Sequence, residues 1–379
     1  MIDWLYNMMI VLIAAIWIAQ LRGKPLLRRR PISPRAKVLV GVALWLMFIL
    51  SATLFVANYA YLERSHDVDD AVQAAVDGFL DGTNPYEAPI VPRFAEMGHF
   101  AIIGGTGDGT IEWAYGPYNY LPVDLLVYSA AFLLLGGLGS PGWFIAANVI
   151  FTVASFYILN RMLRLKWTTF APLAGCAAVL LAFDNSSLTL MLMVSAMYLR
   201  KTSEFAPRQL SIIMLGLATL TKVFAVIPLA VLVLYDLQDG IGRRDRRLLL
   251  QSAAAVAACA VIAIVMIVPF GLSHVLDSTV FIYSSGEVRE DRPMGGTILS
   301  ELIPDSPYYS LITLVTIAGT LLAGLKFKSQ HDRVILVALA FLLVSVKSTL
   351  APFTVPLLYL VLRADEAHRA EPDDGVKKR

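Results

Sequence analysis

His66-Asp67-Val68-Asp69-Asp70 opens, and Trp113-Ala114-Tyr115-Gly116-Pro117-Tyr118-Asn119-Tyr120-Leu121-Pro122 closes, the one long water-facing stretch between two apolar runs, 38–61 and 121–138. Gly82-Thr83-Asn84-Pro85-Tyr86 lies between them. A carboxylate cluster where a membrane helix ends is costly to place, so this loop marks where chemistry is to be sought. It also decides the fold, because the runs that flank it are each long enough to cross a bilayer.

Outward from the loop, the 379 residues are 57% hydrophobic and only 16% charged. Soluble domains carry roughly 25% charged residues, so the composition predicts an all-α, polytopic integral membrane bundle. Apolar runs fall at 3–21, 38–61, 121–138, 142–160, 209–236, 249–270 and 307–325. Two longer stretches, 168–199 and 333–363, each suit a pair of short helices. Asp184-Asn185-Ser186-Ser187 interrupts the first and Lys347-Ser348-Thr349 the second. On the length rule this gives about eleven passes. The start has neither the basic residues nor the cleavage site of a signal peptide, so 3–21 reads as a retained first helix.

Orientation follows the basic residues. Arg22 to Lys37, Arg243-Arg244-Asp245-Arg246-Arg247, Lys326 to Arg333 and Lys377-Lys378-Arg379 are placed in the cytoplasm, which puts 62–120 and 271–306 outside. Arg161, Arg164 and Lys166 do not fit simple alternation, and the topology of 138–208 stays open. The organisation expected is one membrane domain over 1–363, with 62–120 and 271–306 as external loops and 364–379 as a charged cytoplasmic tail. With the basic residues spread over short loops, no nucleic-acid partner is expected. Cys176 and Cys259 sit in apolar helices and read as small buried hydrophobes.

Asp67 to Leu80 has helical spacing, with Val68, Val72, Ala75, Val76 and Phe79 on one face. Its carboxylates at Asp67, Asp69 and Asp70 have three readings. They cap the helix and complement its dipole, they accept a proton from a sugar hydroxyl, or the Asp-x-Asp holds a divalent ion through oxygen. His66 reads as a surface histidine. Gly104-Gly105-Thr106-Gly107-Asp108-Gly109 lacks the strand and helix of a phosphate cradle and reads as a loop.

Trp113, Tyr115, Tyr118 and Tyr120 read as an interfacial aromatic belt or as a wall for a sugar or lipid. Lys222 stands deep in the apolar run from Ser211 to Leu234, too far from either end to snorkel easily, and so is expected to face a polar cavity. Lys347 is similar, at a helix break of the kind tolerated where it lines a cavity. Arg289 and Arg292, with Glu290 and Asp291, read as a solvated face or as a clamp for phosphate.

An aspartate after an early membrane helix, then Gly82-Thr83-Asn84-Pro85-Tyr86, then Tyr115-Gly116-Pro117-Tyr118-Asn119-Tyr120-Leu121-Pro122, resembles the first external loop of GT-C-fold glycosyltransferases. The likeness is to the branch that uses polyprenyl-phosphate-mannose, which includes bacterial alpha-mannosyltransferases. Asp184-Asn185-Ser186-Ser187 stands where such proteins carry a small polar motif, and Leu215 to Lys222 with Pro228 resembles their Gly-Leu…Lys…Pro helix. Tyr120-Leu121-Pro122 departs from the family's Tyr-Pro-Pro, Lys347-Ser348-Thr349 replaces its late Trp-His pair, and the helix 3–21 is an addition.

What the resemblance implies is sugar transfer, mannose favoured, from a polyprenyl-phosphate donor to a lipid or glycan acceptor on the outer face of the plasma membrane. Asp67, Asp69 or Asp70 would be the base, and Lys222, Arg289, Arg292 or Lys347 would meet the donor phosphate. Tyr86, Trp113, Tyr115, Tyr118, Tyr120 and Asn185 would line the substrate site. The donor is a monophosphate ester, so no cofactor is expected; the Asp-x-Asp admits a divalent metal. The competing class is a transporter or flippase of lipid-linked or small anionic solutes, which buried lysines and broken helices also suit. The long structured loop and the absence of a two-fold repeat favour the enzyme. A non-catalytic scaffold leaves the aspartates and Lys222 unexplained.

Overall fold

The computed structural model describes residues 2–22, 34–62, 67–94, 113–164, 167–182, 184–202, 206–279, 309–344 and 351–370. The helices are α1 Ile2–Leu21, α2 Pro34–Leu62, α3 Asp67–Leu80, α4 Pro122–Leu135, α5 Gly142–Leu163, α6 Trp167–Leu180 and α7 Ser186–Thr202. They continue as α8 Ala206–Thr219, α9 Val226–Arg243, α10 Arg246–Ile267, α11 Leu272–Thr279, α12 Tyr309–Gly324, α13 Gln330–Val344 and α14 Thr354–Ala370. The expectation of an all-helical chain misses one feature. Strands β1 Val91–Phe94 and β2 Trp113–Gly116 pair antiparallel, Val91 opposite Gly116 and Phe94 opposite Trp113. The turn-rich, aromatic ends of the loop close on each other in a ladder that a hydropathy scan does not see.

Among the described residues three helical segments are long and apolar enough to cross a membrane: Gly142–Leu163, Val223–Arg243 and Arg246–Phe270. At 1.5 Å per residue a helix of 22 residues runs ~33 Å, about the thickness of a hydrocarbon core. Only 11% of the apolar window of Arg246–Phe270 is buried, and Leu250, Val256, Val261, Ile264 and Val268 point outward. Contiguous exposed apolar surface of this kind is what lipid covers and water does not.

Helices α6 and α7, of 14 and 17 residues, and α13 and α14, of 15 and 17, are shorter, because polar residues interrupt the apolar stretches that hold them. In 168–199 the break falls where the sequence places it. Helix α6 ends at Leu180, and α7 starts at Ser186 with Asp184 Oδ1 accepting from the Ser186 N–H at 2.9 Å and from its hydroxyl at 2.8 Å. That is side-chain capping of a helix start. In 333–363, α13 ends at Val344 and α14 begins at Thr354.

The run 209–236, expected as one continuous span, is also broken. Helix α8 ends at Thr219, Lys222 is extended at φ −139° and ψ 130°, and a short 3-10 turn leads into α9. The hydroxyls of Thr219 and Thr221 bond back to the carbonyls of Leu215 and Ala218, competing with the helix. The freed carbonyls of Leu220 and Thr221 accept from the N–H groups of Val123 at 3.1 Å and Leu121 at 3.4 Å. A helix start lacks acceptors for its first N–H groups and a helix end lacks donors for its last carbonyls. Here the start of α4 and the end of α8 satisfy each other, and Pro122, with no N–H, fits the first turn.

The chain divides into two compact units. One comprises Met1–Pro31, Ala230–Tyr235 and Met294–Arg379, the other Ile32–Leu229 and Asp236–Pro293. In the first, the Trp17 indole donates to Asp332 Oδ1 at 2.9 Å and Arg363 Nε to Asp332 Oδ2 at 3.1 Å, so the early helix α1 docks on α13 and α14. Helix α14 runs past Arg363 to Ala370, so the expected tail begins as helix. In the second unit α7 packs on α5 and α8, α6 on α2, and α10 on α8. Gly216 permits the last of these contacts, since a Cβ there would stand 2.6 Å from Cys259 Sγ. Both cysteines are free thiols, Cys176 buried.

Candidate functional site

The site belongs to the second unit and forms where α4 starts and where the α6–α7 and α8–α9 breaks fall. Asp124, in the first turn of α4, is wholly buried. An acid in a first turn complements the helix dipole, but this one does more. Its Oδ2 accepts from the Tyr118 hydroxyl and, at 3.0 Å, from Asn185 Nδ2. Its Oδ1 and the Asn185 Oδ1 are buried with no hydrogen-bond partner among the described residues.

One step along the chain, Asp184 pairs with Lys222, Nζ to Oδ1 at 3.0 Å, while Nζ also donates to Ser186 Oγ at 2.7 Å. The Asp184 side chain is 34% exposed and that of Lys222 12%. This carboxylate is therefore the open end of the cluster. The Tyr120 ring lies 5.2 Å from Lys222 Nζ, within cation–π range. Behind these groups, Asn148 of α5 accepts from the hydroxyls of Tyr128 and Ser187, and the hydroxyls of Thr189 and Thr221 meet at 2.7 Å.

The Gly82–Tyr86 stretch builds the wall. Asn84 ties it to the end of α10 by donating to Phe270 O at 2.9 Å, and its Oδ1 accepts the Tyr86 N–H at 3.1 Å. Pro85 O accepts from Tyr118 N at 2.7 Å, and the Tyr86 hydroxyl donates to Tyr120 O at 2.9 Å. Tyr86 and Tyr118 stand edge to face at 5.7 Å. Burial, reinforced by the charge of Asp124, pushes both phenols well above their usual range, so they stay protonated as the donors these bonds need. Next to this wall lies a pocket of about 350 Å³, lined by Phe79, Thr83, Asn84, Leu126, Val265 and Phe270 among others. Tyr86 and Phe270, 5.2 Å apart, connect it to the tyrosines.

Of the residues singled out in the sequence, Lys222, Asn185, Tyr118, Tyr120 and Tyr86 come together here. Lys222 is not deep in a helix as expected: it stands at a break, and its partner is a carboxylate of the same chain. The Asp67–Leu80 helix forms as its spacing predicts, with Val72, Ala75 and Val76 fully buried. Asp69 is 2% exposed, so it is inside and not at a water-facing mouth, while Asp70 is half-buried. The side chain of Asp67 and those of Trp113 and Tyr115 on β2 lie outside the described residues, as do Arg289, Arg292, Lys347, His66 and 104–109. Among the described residues no group of three His, Cys, Asp or Glu side chains could hold a metal ion.

Asp124 is not among the residues the sequence singles out, and Asp184 is there only as part of a helix break and of a small polar motif, with no role of its own. The signal for Asp124 was present: it is an acid inside the apolar run 121–138, as conspicuous there as Lys222 is in its own run. Its nearness to a helix start gives it an ordinary alternative role in complementing the helix dipole. The arrangement offers fixed acceptors and a cation beside aromatic faces, with an apolar pocket adjoining. No family model, curated protein or solved structure matches the chain.

Proposed function

We propose that the chain is an integral membrane glycosyltransferase of about eleven spans and GT-C-like architecture, which moves a sugar, mannose favoured, from a polyprenyl-phosphate donor to a lipid or glycan acceptor on the outer face of the plasma membrane. One observation carries this reading. A cluster of Asp124, Asp184, Asn185 and Lys222, buried except on the Asp184 side and walled by tyrosines, adjoins an apolar pocket beside helix α10, whose apolar surface is largely exposed. A lipid-linked sugar phosphate has the matching three parts: an apolar chain, an anion, and a ring with hydroxyls and an apolar face.

In the reaction the acceptor hydroxyl oxygen attacks the anomeric carbon. The bond from that carbon to the phosphate oxygen breaks, its electron pair passing to the leaving phosphate. The hydroxyl proton goes to a carboxylate at the start of α3, Asp67, Asp69 or Asp70, and single displacement inverts the anomeric configuration. Lys222 takes the donor phosphate in place of Asp184, stabilising the charge that develops on departure; Arg289, Arg292 and Lys347 are the further cations assigned to that anion. Tyr86, Tyr118, Tyr120, Trp113 and Tyr115 contact the sugar or its carrier, with Asn185 at the deep end.

Purified protein incubated with radiolabelled polyprenyl-phosphate sugars and membrane lipid extract should yield a labelled product with at least one donor. Absence of transfer across the panel removes the proposal. The second reading, a transporter of lipid-linked or small anionic solutes, is favoured by the two helix breaks at Asp184 and Lys222. It requires uptake into vesicles without any change in the solute's covalent structure.

A further inference from the structure

The cluster does not balance its charge. It holds two carboxylates, Asp124 and Asp184, and one ammonium group, Lys222, which Asp184 engages at 3.0 Å. Asp124 is fully buried and has no ion-pair partner among the described residues. A buried carboxylate left without a positive charge is strongly disfavoured.

The hydrogen-bonding ledger is short in the same place. Asp124 and Asn185 are joined through Oδ2 and Nδ2, and the second oxygen of each, Oδ1 in both, is buried and unbonded. Both atoms can only accept, so neither satisfies the other, and both are hard oxygen donors of the kind that hold small cations. They sit where two helices are interrupted, a setting in which backbone carbonyls and half-helix ends coordinate monovalent ions.

We propose that Asp124 Oδ1 and Asn185 Oδ1 are ligands of a site for one alkali-metal ion. One positive charge makes the cluster neutral, whereas a divalent ion leaves it positive and finds only two side-chain oxygens here. The groups that surround Asp124 set its field. The loop supplies Tyr86, Tyr118 and Tyr120, and α4 itself Tyr128. The two breaks supply Asp184, Ser186, Ser187 and Lys222, and α5 supplies Asn148. Helix α3, which carries Asp69 and Asp70, packs on α4, and α10 brings apolar Val265 and Met266 to the pocket that Leu126 also lines. This inference rests on the charge and ligands of the cluster and stands whether or not the chain transfers a sugar.

The test is thermal unfolding of the full chain in detergent, in sodium, potassium or N-methylglucamine chloride at fixed ionic strength and at two pH values. Wild type should gain about 5 °C in Tm, saturably, at a hundredfold excess of the preferred ion over its Kd. A response to pH alone, lost in Asp124→Asn and indifferent to the salt, would mean that Asp124 is neutralised by a proton and would overturn the proposal. The response to the ion should vanish in Asp124→Asn, which keeps the shape and loses the charge, and persist in Asp239→Asn, a half-buried acid of α9 already paired with Arg243. Saturable binding of the radioactive ion to wild type gives the same answer should Asp124→Asn fail to fold. A wild type indifferent to the ion, or an Asp124→Asn protein that keeps the full response, overturns the proposal.

Discussion

Two buried ion pairs tie α7 and its flanking break to the α8–α9 segment, and they are built differently. Near the C-terminal end of α7, Arg200 holds Asp236 through both terminal guanidinium nitrogens, one contact at 3.0 Å, with side chains 7% and 1% exposed. Both residues lie within helices, the geometry is bidentate, and the charges cancel. At the other end, the Asp184–Lys222 pair uses a single contact, stands at two helix breaks, is open on the Asp184 side, and has Asp124 beside it as a surplus acid. A balanced, closed pair has nothing left to offer a ligand. An unbalanced, partly open one at interrupted helices is where a ligand gains most, so the first pair is assigned to holding the fold and the second to function.

The largest effect should come from breaking the balanced pair. Arg200→Ala leaves Asp236 buried and alone, and should cost about 3–5 kcal/mol, seen as a lower Tm and a poor folded yield in detergent. The double substitution Arg200→Met with Asp236→Leu should recover most of that loss, because well-packed apolar groups replace a buried pair at little cost. A single variant as stable as wild type would remove the structural role.

Next in size are the carboxylates at the start of α3. Asp→Asn at the base keeps shape and hydrogen bonding but deletes basicity, so transfer should fall by roughly 10², about 2.7 kcal/mol of barrier. Full activity in Asp67→Asn, Asp69→Asn and Asp70→Asn alike would leave these residues with capping and packing only. Activity should also survive chelation by EDTA. Loss restored by magnesium or manganese would make Asp67 and Asp69 ligands of a divalent ion.

A smaller effect is expected at the α8–α10 contact. Gly216→Ala places a methyl group against Cys259 Sγ and should cost about 1–3 kcal/mol by overpacking; the double variant with Cys259→Ala should be nearer wild type. The smallest belongs to Arg243–Asp239, an i,i+4 pair at 2.7 Å whose arginine is 72% exposed. Arg243→Ala should move stability by about 0.5 kcal/mol or less.

The contrast between the two pairs also shows what could be read in the sequence. Helix α3 and the break before α7 were legible, because a 3.6-residue apolar repeat and a cluster of Asp, Asn and Ser act locally. The interruption at Lys222 was not, since it depends on α4 lending its first N–H groups to the α8 carbonyls, a contact about a hundred residues away along the chain. Nor was the β1–β2 ladder, whose strands are four residues each and pair across a long insertion. Lys222 stood out because no local rule accounts for a lysine in an apolar run. Asp124 did not, because a first-turn acid has an ordinary explanation, and only its complete burial and bare Oδ1 set it apart. The pairing of Arg200 with Asp236 had no sequence signal at all.

Donor binding decides most directly between a functional and a structural cluster. Equilibrium binding of a polyprenyl-phosphate mannose should be compared in wild type, in Lys222→Met, and in the Arg200→Met with Asp236→Leu double variant, all shown to be folded by thermal unfolding. Loss of the Lys222 charge should weaken binding by about tenfold or more, the scale of one charge-assisted hydrogen bond of 1.5–3 kcal/mol, while the double variant binds as wild type does. Undiminished binding by folded Lys222→Met would contradict the account and leave the Asp184–Lys222 pair as a second structural clasp.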